Sequence, residues 1–325
     1  MDNQLLLVGS GPMAIEYAKV LNALKVSYTV IGRGDESSLK FRQETGVSVI
    51  KGGIEKWLEK EREREYPQKA IVCVGEEALG RVTRLLIKKG VRSILVEKPG
   101  GLTSEDIRLV AEETDKEGAK VYVGYNRRFY ASTAKALEII EEDGGVLSFS
   151  FEFTEWSHVI SGLKKAEGVL EEWFLANSTH VIDLAFFLGG MPKEIACFTT
   201  GGLEWHPSAS IFTGAGISEK GALFSYQANW ESPGRWGVEV LTKKHRLIFR
   251  PLEKLQVQRI GSVGIEAVEI DEEIDTKYKA GLFKQVESFL GSEKRGLPSI
   301  YEQIKVLDFF EKVSGKTKKK KISQF

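Results

Sequence analysis

Three short stretches of this sequence carry groups that could do chemistry. The first is Gly9-Ser10-Gly11-Pro12-Met13-Ala14, a G-x-G-x-x-A string. Its chemistry would be backbone electrostatics toward an anion. Gly9 permits a tight turn, Gly11 has no Cβ to obstruct a pyrophosphate, and Ala14 is small enough for a helix to pack on a strand. A helix opening here offers unpaired N–H groups and the positive end of its dipole. Pro12 suits the first turn of such a helix. The second stretch is Glu97-Lys98-Pro99-Gly100-Gly101. A lysine held there could exchange a proton with a substrate hydroxyl, and a Lys-Pro bond at such a turn is a candidate for the cis form. The third is Asn177-Ser178-Thr179-His180-Val181-Ile182-Asp183. If a new helix starts at the cap-forming residues 177–179, His180 lies in its first turn. The dipole then keeps the imidazole neutral, able to bond a hydroxyl and relay a proton. Each stretch also has a plainer reading: a glycine turn, a surface lysine and a structural histidine.

Context separates these readings, and the first stretch gains most from it. Leu5–Val8 is an apolar strand directly before the glycines, and Pro12–Leu24 has helical periodicity directly after them. Strand-like and helix-like runs then alternate: strands at Ser27–Ile31, Lys69–Val74, Ser93–Val96 and Lys120–Gly124, helices at Glu76–Lys89 and Thr103–Lys116. Apolar strands between amphipathic helices predict a doubly wound parallel sheet, an α/β Rossmann fold, over residues 1–125. In such a sheet ligands bind beyond the C-terminal strand ends, which is where Gly9–Ala14, Val74, Glu97 and Lys98 fall. The second strand ends in Ile31-Gly32-Arg33. No acid stands at positions 31–34 to hold a ribose 2′-hydroxyl, whereas a guanidinium suits a 2′-phosphate. The expected cofactor is therefore NADP before NAD, with Gly32 and Arg33 at its ribose.

Residues 126–325 read as an α+β domain with a large, mostly antiparallel open sheet. Tyr130–Glu142 is helical, and Val146–Trp156 alternates as a strand with Phe149, Phe151 and Phe153 on one face. A helix spans Leu170–Leu188 with a break near residues 177–179. Strands fill Ile195–Ile270, including a hairpin at Thr242–His245, and helices at Thr276–Leu290 and Ser299–Val313 close the chain. Trp156, Trp173, Trp230 and Trp236 could stack on sugar faces, although most such aromatics are core. The stretch Asn229–Trp236, with a turn, Arg235 and two tryptophans, is the most pocket-like. The charged run Glu59–Glu65 reads as a solvated helix end, and the lysine-rich segment Lys316–Lys321 as a solubilising terminus.

Composition bounds the partners. Among 325 residues, 46 Lys and Arg balance 46 Asp and Glu, which excludes a globally basic nucleic-acid binder. No uncharged apolar run reaches about 18 residues, so no membrane-spanning helix is expected. The N-terminus has no basic region or small-residue cleavage site, and the expected compartment is the cytoplasm. Cys73 and Cys197 are too few and too far apart for a disulfide framework or a zinc ribbon. Cys73, inside an apolar run, reads as a buried structural thiol. No set of metal ligands clusters around His180 and Asp183, so no metal is expected.

The order of these motifs resembles the Gfo/Idh/MocA oxidoreductase family over nearly the whole chain. The resemblance rests on the Rossmann half, on Glu97-Lys98-Pro99, on Gly124-Tyr125-Asn126-Arg127-Arg128-Phe129 and on His180 with Asp183. It implies NAD(P)-dependent hydride transfer to or from a carbon of a sugar, cyclitol or nucleotide sugar. It also implies a homodimer or homotetramer assembled through the C-terminal sheet. By resemblance Lys98 takes the catalytic lysine position, with His180 as the orienting or relay group. Tyr125, Asn126, Arg127, Asn177 and Trp236 then fall near the substrate. One departure stands out: the family pattern D-x-G-x-H-x-x-D reads here with Ala176 for the first aspartate and Ser178 for the glycine. The missing carboxylate leaves open two further readings: redox-neutral lyase, hydrolase or epimerase chemistry on a tightly bound nicotinamide, and a non-catalytic dinucleotide-binding sensor.

Overall fold

The structure is a computed structural model that describes residues 5–60 and 66–316. Two compact units divide the chain: Met1–Ala131 with Asp271–Ile304, and Ser132–Ile270 with Lys305–Phe325. The split expected at residue 125 assigned everything beyond it to one domain. By contacts, Asp271–Ile304 instead returns to the first unit, because the inward faces of its helices carry Leu282, Val286 and Phe289 into the same core as Leu5, Tyr17 and Phe41.

In the first unit β1 (Leu5–Val8), β2 (Tyr28–Ile31), β3 (Val49–Ile50), β4 (Lys69–Val72), β5 (Ser93–Glu97) and β6 (Lys120–Gly124) form a six-stranded sheet in the order β3-β2-β1-β4-β5-β6. Every pair is parallel. That order reverses between β1 and β4, the switch point at which an open α/β sheet presents a crevice. The continuous apolar strands are the cause: Leu5 to Val8 are all buried, so both sheet faces need helical cover. Helix α1 (Pro12–Ala23) supplies part of it through Ala14, Ile15, Tyr17, Ala18, Val20 and Leu21. Cys73 is buried, as its apolar run predicts. Helix α3 covers Gly53–Lys60, and the rest of the charged run lies outside the described residues.

The second unit holds an eight-stranded sheet in which β7 (Ser148–Glu152) is central. It pairs antiparallel with β11 (Gly237–Leu241) and parallel with β10 (Leu223–Asn229); the other pairings are antiparallel. The strand expected over Val146–Trp156 is shorter than its alternation, but the predicted face holds: Phe149, Phe151 and Phe153 are all buried. Phe186 of α8 (Thr179–Gly189) meets Phe149 and Phe151 edge-on, each at 5.5 Å. Burying a phenylalanine side chain contributes roughly 1.5–3 kcal/mol, so this aromatic layer anchors α8 to the sheet. The opposite face carries Ser150, Glu152, Gln227, Glu239, Arg246 and Arg250. The hairpin expected at Thr242–His245 joins β11 to β12 (His245–Phe249).

Two expected helices are broken for identifiable reasons. The helix over Thr276–Leu290 is α9 (Glu273–Lys277) and α10 (Leu282–Leu290), separated at Gly281. Gly281 adopts φ +71°, and a Cβ there would lie 2.1 Å from the carbonyl oxygen of Asn126. The helix expected over Leu170–Leu188 starts only at Trp173 and contains a π-helical turn, Phe174–Ser178, before α8. Among the described residues no helix is long and apolar enough to cross a membrane. Residues 317–321 of the lysine-rich segment lie outside the described residues.

Candidate active site

In the first unit the predicted glycine loop sits where its sequence requires. Gly9 continues β1 by donating its N–H to the carbonyl of Ile31 at 2.8 Å, and it adopts φ +131°. A Cβ on Gly9 would stand 2.4 Å from the carbonyl oxygen of Cys73, so only glycine lets β1 and β4 run side by side here. Gly11 is the N-cap of α1, with Pro12 at the start of the helix and no side chain capping it. A Cβ on Gly11 would meet nothing within 4 Å. The helix therefore opens onto free space with its first-turn N–H groups uncapped by side chains and no acidic residue beside them. That combination fits the pyrophosphate of a dinucleotide. Met13 and Ala14 continue the first turn, Ala14 fully buried.

The remaining cofactor candidates ring the same strand ends. Ser10 turns its hydroxyl sideways to Ser37, 2.9 Å away, and a Cβ on Gly32 would fall 2.5 Å from that hydroxyl. Arg33 is exposed just past β2, within reach of the field of Glu55. Val74 follows β4, half-buried. Glu97 ends β5 and accepts a 2.6 Å hydrogen bond from Tyr17 of α1. Burial pushes the Glu97 carboxyl above its ordinary range, opposed by the Tyr17 hydrogen bond and then by the charge of Lys98. The Tyr17 phenol is raised well above its usual value by burial and by Glu97. Tyr17 thus ties the glycine-loop helix to the turn that carries Lys98.

That turn is itself braced. The Lys98–Pro99 peptide is cis, and Gly100 adopts φ +97°. Gln303, 2% exposed, donates from one amide nitrogen to the carbonyl of Pro99 at 3.2 Å and to the hydroxyl of Tyr125 at 3.1 Å. Tyr125, expected at the substrate, has no exposed surface and belongs to this brace. Asn126 is likewise committed: it is buried, its amide donates to the carbonyl of Ala280 at 2.9 Å, and its oxygen accepts from Arg127 at 3.3 Å. Of the three, Arg127 alone keeps part of its surface; Tyr125 joins the brace of the Lys98 turn, and Asn126 is bonded to the segment before α10.

In the second unit the histidine helix differs from expectation. Ser178 has αR dihedrals and caps nothing, and the backbone stays helical from Trp173 through the π turn into α8. Helix α8 does start at Thr179 and puts His180 in its first turn, but it continues the π turn on an unbroken helical backbone instead of opening at a capped end, so the dipole argument for a neutral His180 does not apply. The reason lies in Glu155, three residues past β7. Its carboxylate, 3% exposed, accepts from Ser178 Oγ at 2.8 Å and from Asn177 Nδ2 at 3.0 and 3.1 Å. With their side chains drawn to Glu155, Asn177 and Ser178 do not act as caps. Asn177, expected at the substrate, spends its amide donor on this carboxylate. His180 is buried at 7%, with the indole of Trp236 at 6.1 Å, so these two predicted residues do meet. Trp230 is core, donating to the carbonyl of Phe153 at 3.2 Å, and Trp173 is buried as well.

Glu155 is the functional candidate that sequence reading missed. It departs from the family pattern in a coupled way. Its carboxylate is held past the end of β7 by the side chains at 177 and 178, next to Ala176 in sequence. The one available signal was that Ser178 replaces a glycine and Ala176 an aspartate within three residues. Burial raises the Glu155 carboxyl, opposed by the bonds from Ser178 and Asn177. An acid whose folded-state pKa is raised stabilises the fold below its unfolded value of 4.5 and loses that contribution as pH rises through the folded value. Glu155→Gln removes this loss. The fall in unfolding free energy between pH 5 and pH 8, measured by urea denaturation, is expected to be smaller in the variant. An unchanged difference would show that Glu155 ionises in the fold as it does in water.

Comparison with known proteins follows from this geometry. Residues 4–125 match the model of the family described as "Oxidoreductase family, NAD-binding Rossmann fold" (GFO_IDH_MocA). Among solved structures, levoglucosan dehydrogenase in complex with NADH is similar with a TM-score of 0.77 and 16% identity, over 96% of each chain. An oxidoreductase from Agrobacterium radiobacter in complex with NAD+, L-tartaric acid and magnesium gives 0.75 and 12%, over 98% of this chain and 97% of that one. UDP-N-acetylglucosamine 3-dehydrogenase from Acidithiobacillus ferrooxidans gives 0.71 and 14%, over 96% of each. At these identities the likeness is one of fold. No curated protein sequence matches the chain.

Proposed function

We propose that this chain, whose residues 4–125 match the model of the oxidoreductase family with an NAD-binding Rossmann fold, transfers a hydride between a nicotinamide dinucleotide and a carbinol carbon of a sugar-like substrate. The observation that carries this reading is the open, uncapped start of α1 at Gly11, with Lys98 at another C-terminal strand end of the same sheet. Helix N–H groups would hold the pyrophosphate, and Arg33 the ribose substituent. The nicotinamide, when bound, supplies the hydride acceptor or donor. Lys98 gives or takes the proton of the substrate hydroxyl, with the carboxyl of Glu97 beside it and fixed by Tyr17. Within the second unit, His180, on a turn set by Glu155 and against Trp236, is the polar group offered to a sugar. A retained, buried carboxylate at Glu155 favours catalysis over a sensor that has lost its acid.

Native mass spectrometry for retained dinucleotide, followed by NAD and NADP titration, tests this reading. Binding of neither would overturn it. The same titration tests Arg33: exchange for aspartate is expected to weaken NADP by about tenfold or more while NAD holds or tightens, because a carboxylate repels a 2′-phosphate. An unchanged ratio would remove Arg33 from cofactor choice. Assembly as a homo-oligomer through the polar face of the eight-stranded sheet belongs to the same proposal, and sedimentation velocity measures it.

A further inference from the structure

Beside His180 the second unit builds a feature that the hydride-transfer reading does not use. The guanidinium of Arg235 lies 4.8 Å from the ring centroid of Trp156 and 5.2 Å from that of Trp236. Arg235 is exposed, and among the described residues no carboxylate forms an ion pair with it. Trp156 is 47% exposed, yet its ring is fixed: the indole N–H donates to the carbonyl of Gly234 at 2.9 Å, one residue before the arginine. Trp236 is buried and faces His180 on its other contact. The carboxylate whose field reaches Arg235 is Glu155, and it is buried and occupied by Asn177 and Ser178.

Two indoles therefore hold a cation that forms no ion pair among the described residues. A guanidinium held by aromatic faces keeps its in-plane N–H donors for a ligand, and their fork matches the paired oxygens of a carboxylate or phosphoryl group. Holding it between rings removes rotamer freedom before binding, so less is lost when an anion arrives. We propose that Arg235, clamped by Trp156 and Trp236, is a specificity-determining anion-binding residue of the second unit, and that the sugar it selects carries an oxyanion group. The inference rests on the oxidoreductase reading, since it names the substrate class of that reaction.

Calorimetric titration of the full-length protein, saturated with NADH, tests it with D-glucuronate, D-glucose 6-phosphate and D-glucose as probes. One of the two anionic probes is expected to bind about tenfold or more tighter than glucose, and to weaken as salt is raised. The tighter of the two tells carboxylate from phosphate. Arg235→Gln is expected to abolish that preference while leaving NADH affinity unchanged. Trp156→Ala, which releases the clamp without removing the charge, is expected to reduce it severalfold. Glucose binding as tightly as both anions overturns the proposal. So does an Arg235→Gln variant that keeps the preference, or the absence of any anionic-sugar binding to protein that binds NADH. Failure of NADH itself to bind overturns the oxidoreductase reading, and this inference with it.

Discussion

Lys98→Ala is expected to lower turnover about 10³-fold while NAD(P)H still binds, because general acid–base catalysis by one positioned side chain typically contributes 10²–10⁴-fold. The structural basis is a turn whose hold does not depend on the Lys98 side chain. The turn around it is held by other groups: Gln303 on the carbonyl of Pro99, Tyr17 on the carboxyl of Glu97, and the end of β6 alongside. Truncating Lys98 leaves all of these in place. The loss should therefore appear in kcat, with the thermal midpoint and the dinucleotide dissociation constant near those of the wild type. The measurement is nicotinamide absorbance on any sugar that the wild-type protein oxidises or reduces, together with fluorescence titration of NADH. Full turnover in the variant would remove Lys98 from the chemistry. Loss of NADH binding would instead make it a cofactor ligand. Lys98→Arg keeps the charge but cannot give up its proton near neutral pH, so it should be nearly as impaired.

The second large effect is structural. Gly9→Ala is expected to destabilise the protein by about 3 kcal/mol or more, since a residue forced into a sparsely populated φ/ψ region alone costs of order 1–3 kcal/mol. Two effects act together. At φ +131° an L side chain is strained whatever the space, and the new Cβ would lie 2.4 Å from the backbone oxygen of Cys73. Backbone cannot swing aside as a flexible side chain does, so β1 and β4 must separate at the strand ends where the glycine loop begins. Chemical denaturation should show a lower midpoint, and NADH affinity should fall in parallel. Gly11→Ala is the control. A Cβ there meets nothing, so the fold should be unaffected while the space for a pyrophosphate narrows. Equal stability of the Gly9 variant and the wild type would contradict the close approach of the two strands.

Much of the first unit is legible in its sequence. Apolar runs such as Leu5–Val8 can only be buried strands, amphipathic runs such as Pro12–Ala23 can only cover them, and glycines mark the places where backbone conformation or contact forbids a side chain. The candidate cofactor residues follow, because strand ends and helix starts are local features. The second unit was legible in its alternation, where Phe149, Phe151 and Phe153 announce their face. Its site was not. Tyr125 and Asn126 look like ligand groups in the sequence, and become braces once Gln303 and Ala280 are found beside them. His180 lies in the first turn of α8 as its sequence suggests, but that turn continues a π turn whose side chains are drawn over by a carboxylate more than twenty residues earlier in the chain.

What the sequence determined by itself was therefore periodicity, the positions of the chain reversals, and the identity of the groups available for chemistry. Tertiary structure alone decided which of those groups are partnered. Glu155 finds Asn177 and Ser178, Glu97 finds Tyr17, Gln303 finds the turn after Lys98, and Arg235 is left to two tryptophans. The physical reason is that a buried polar group must recover the hydrogen bonds it lost from water, and it takes them from whatever packing brings near. Apolar patterning sets which face turns inward, but it does not encode which donor or acceptor from a distant segment will be waiting there.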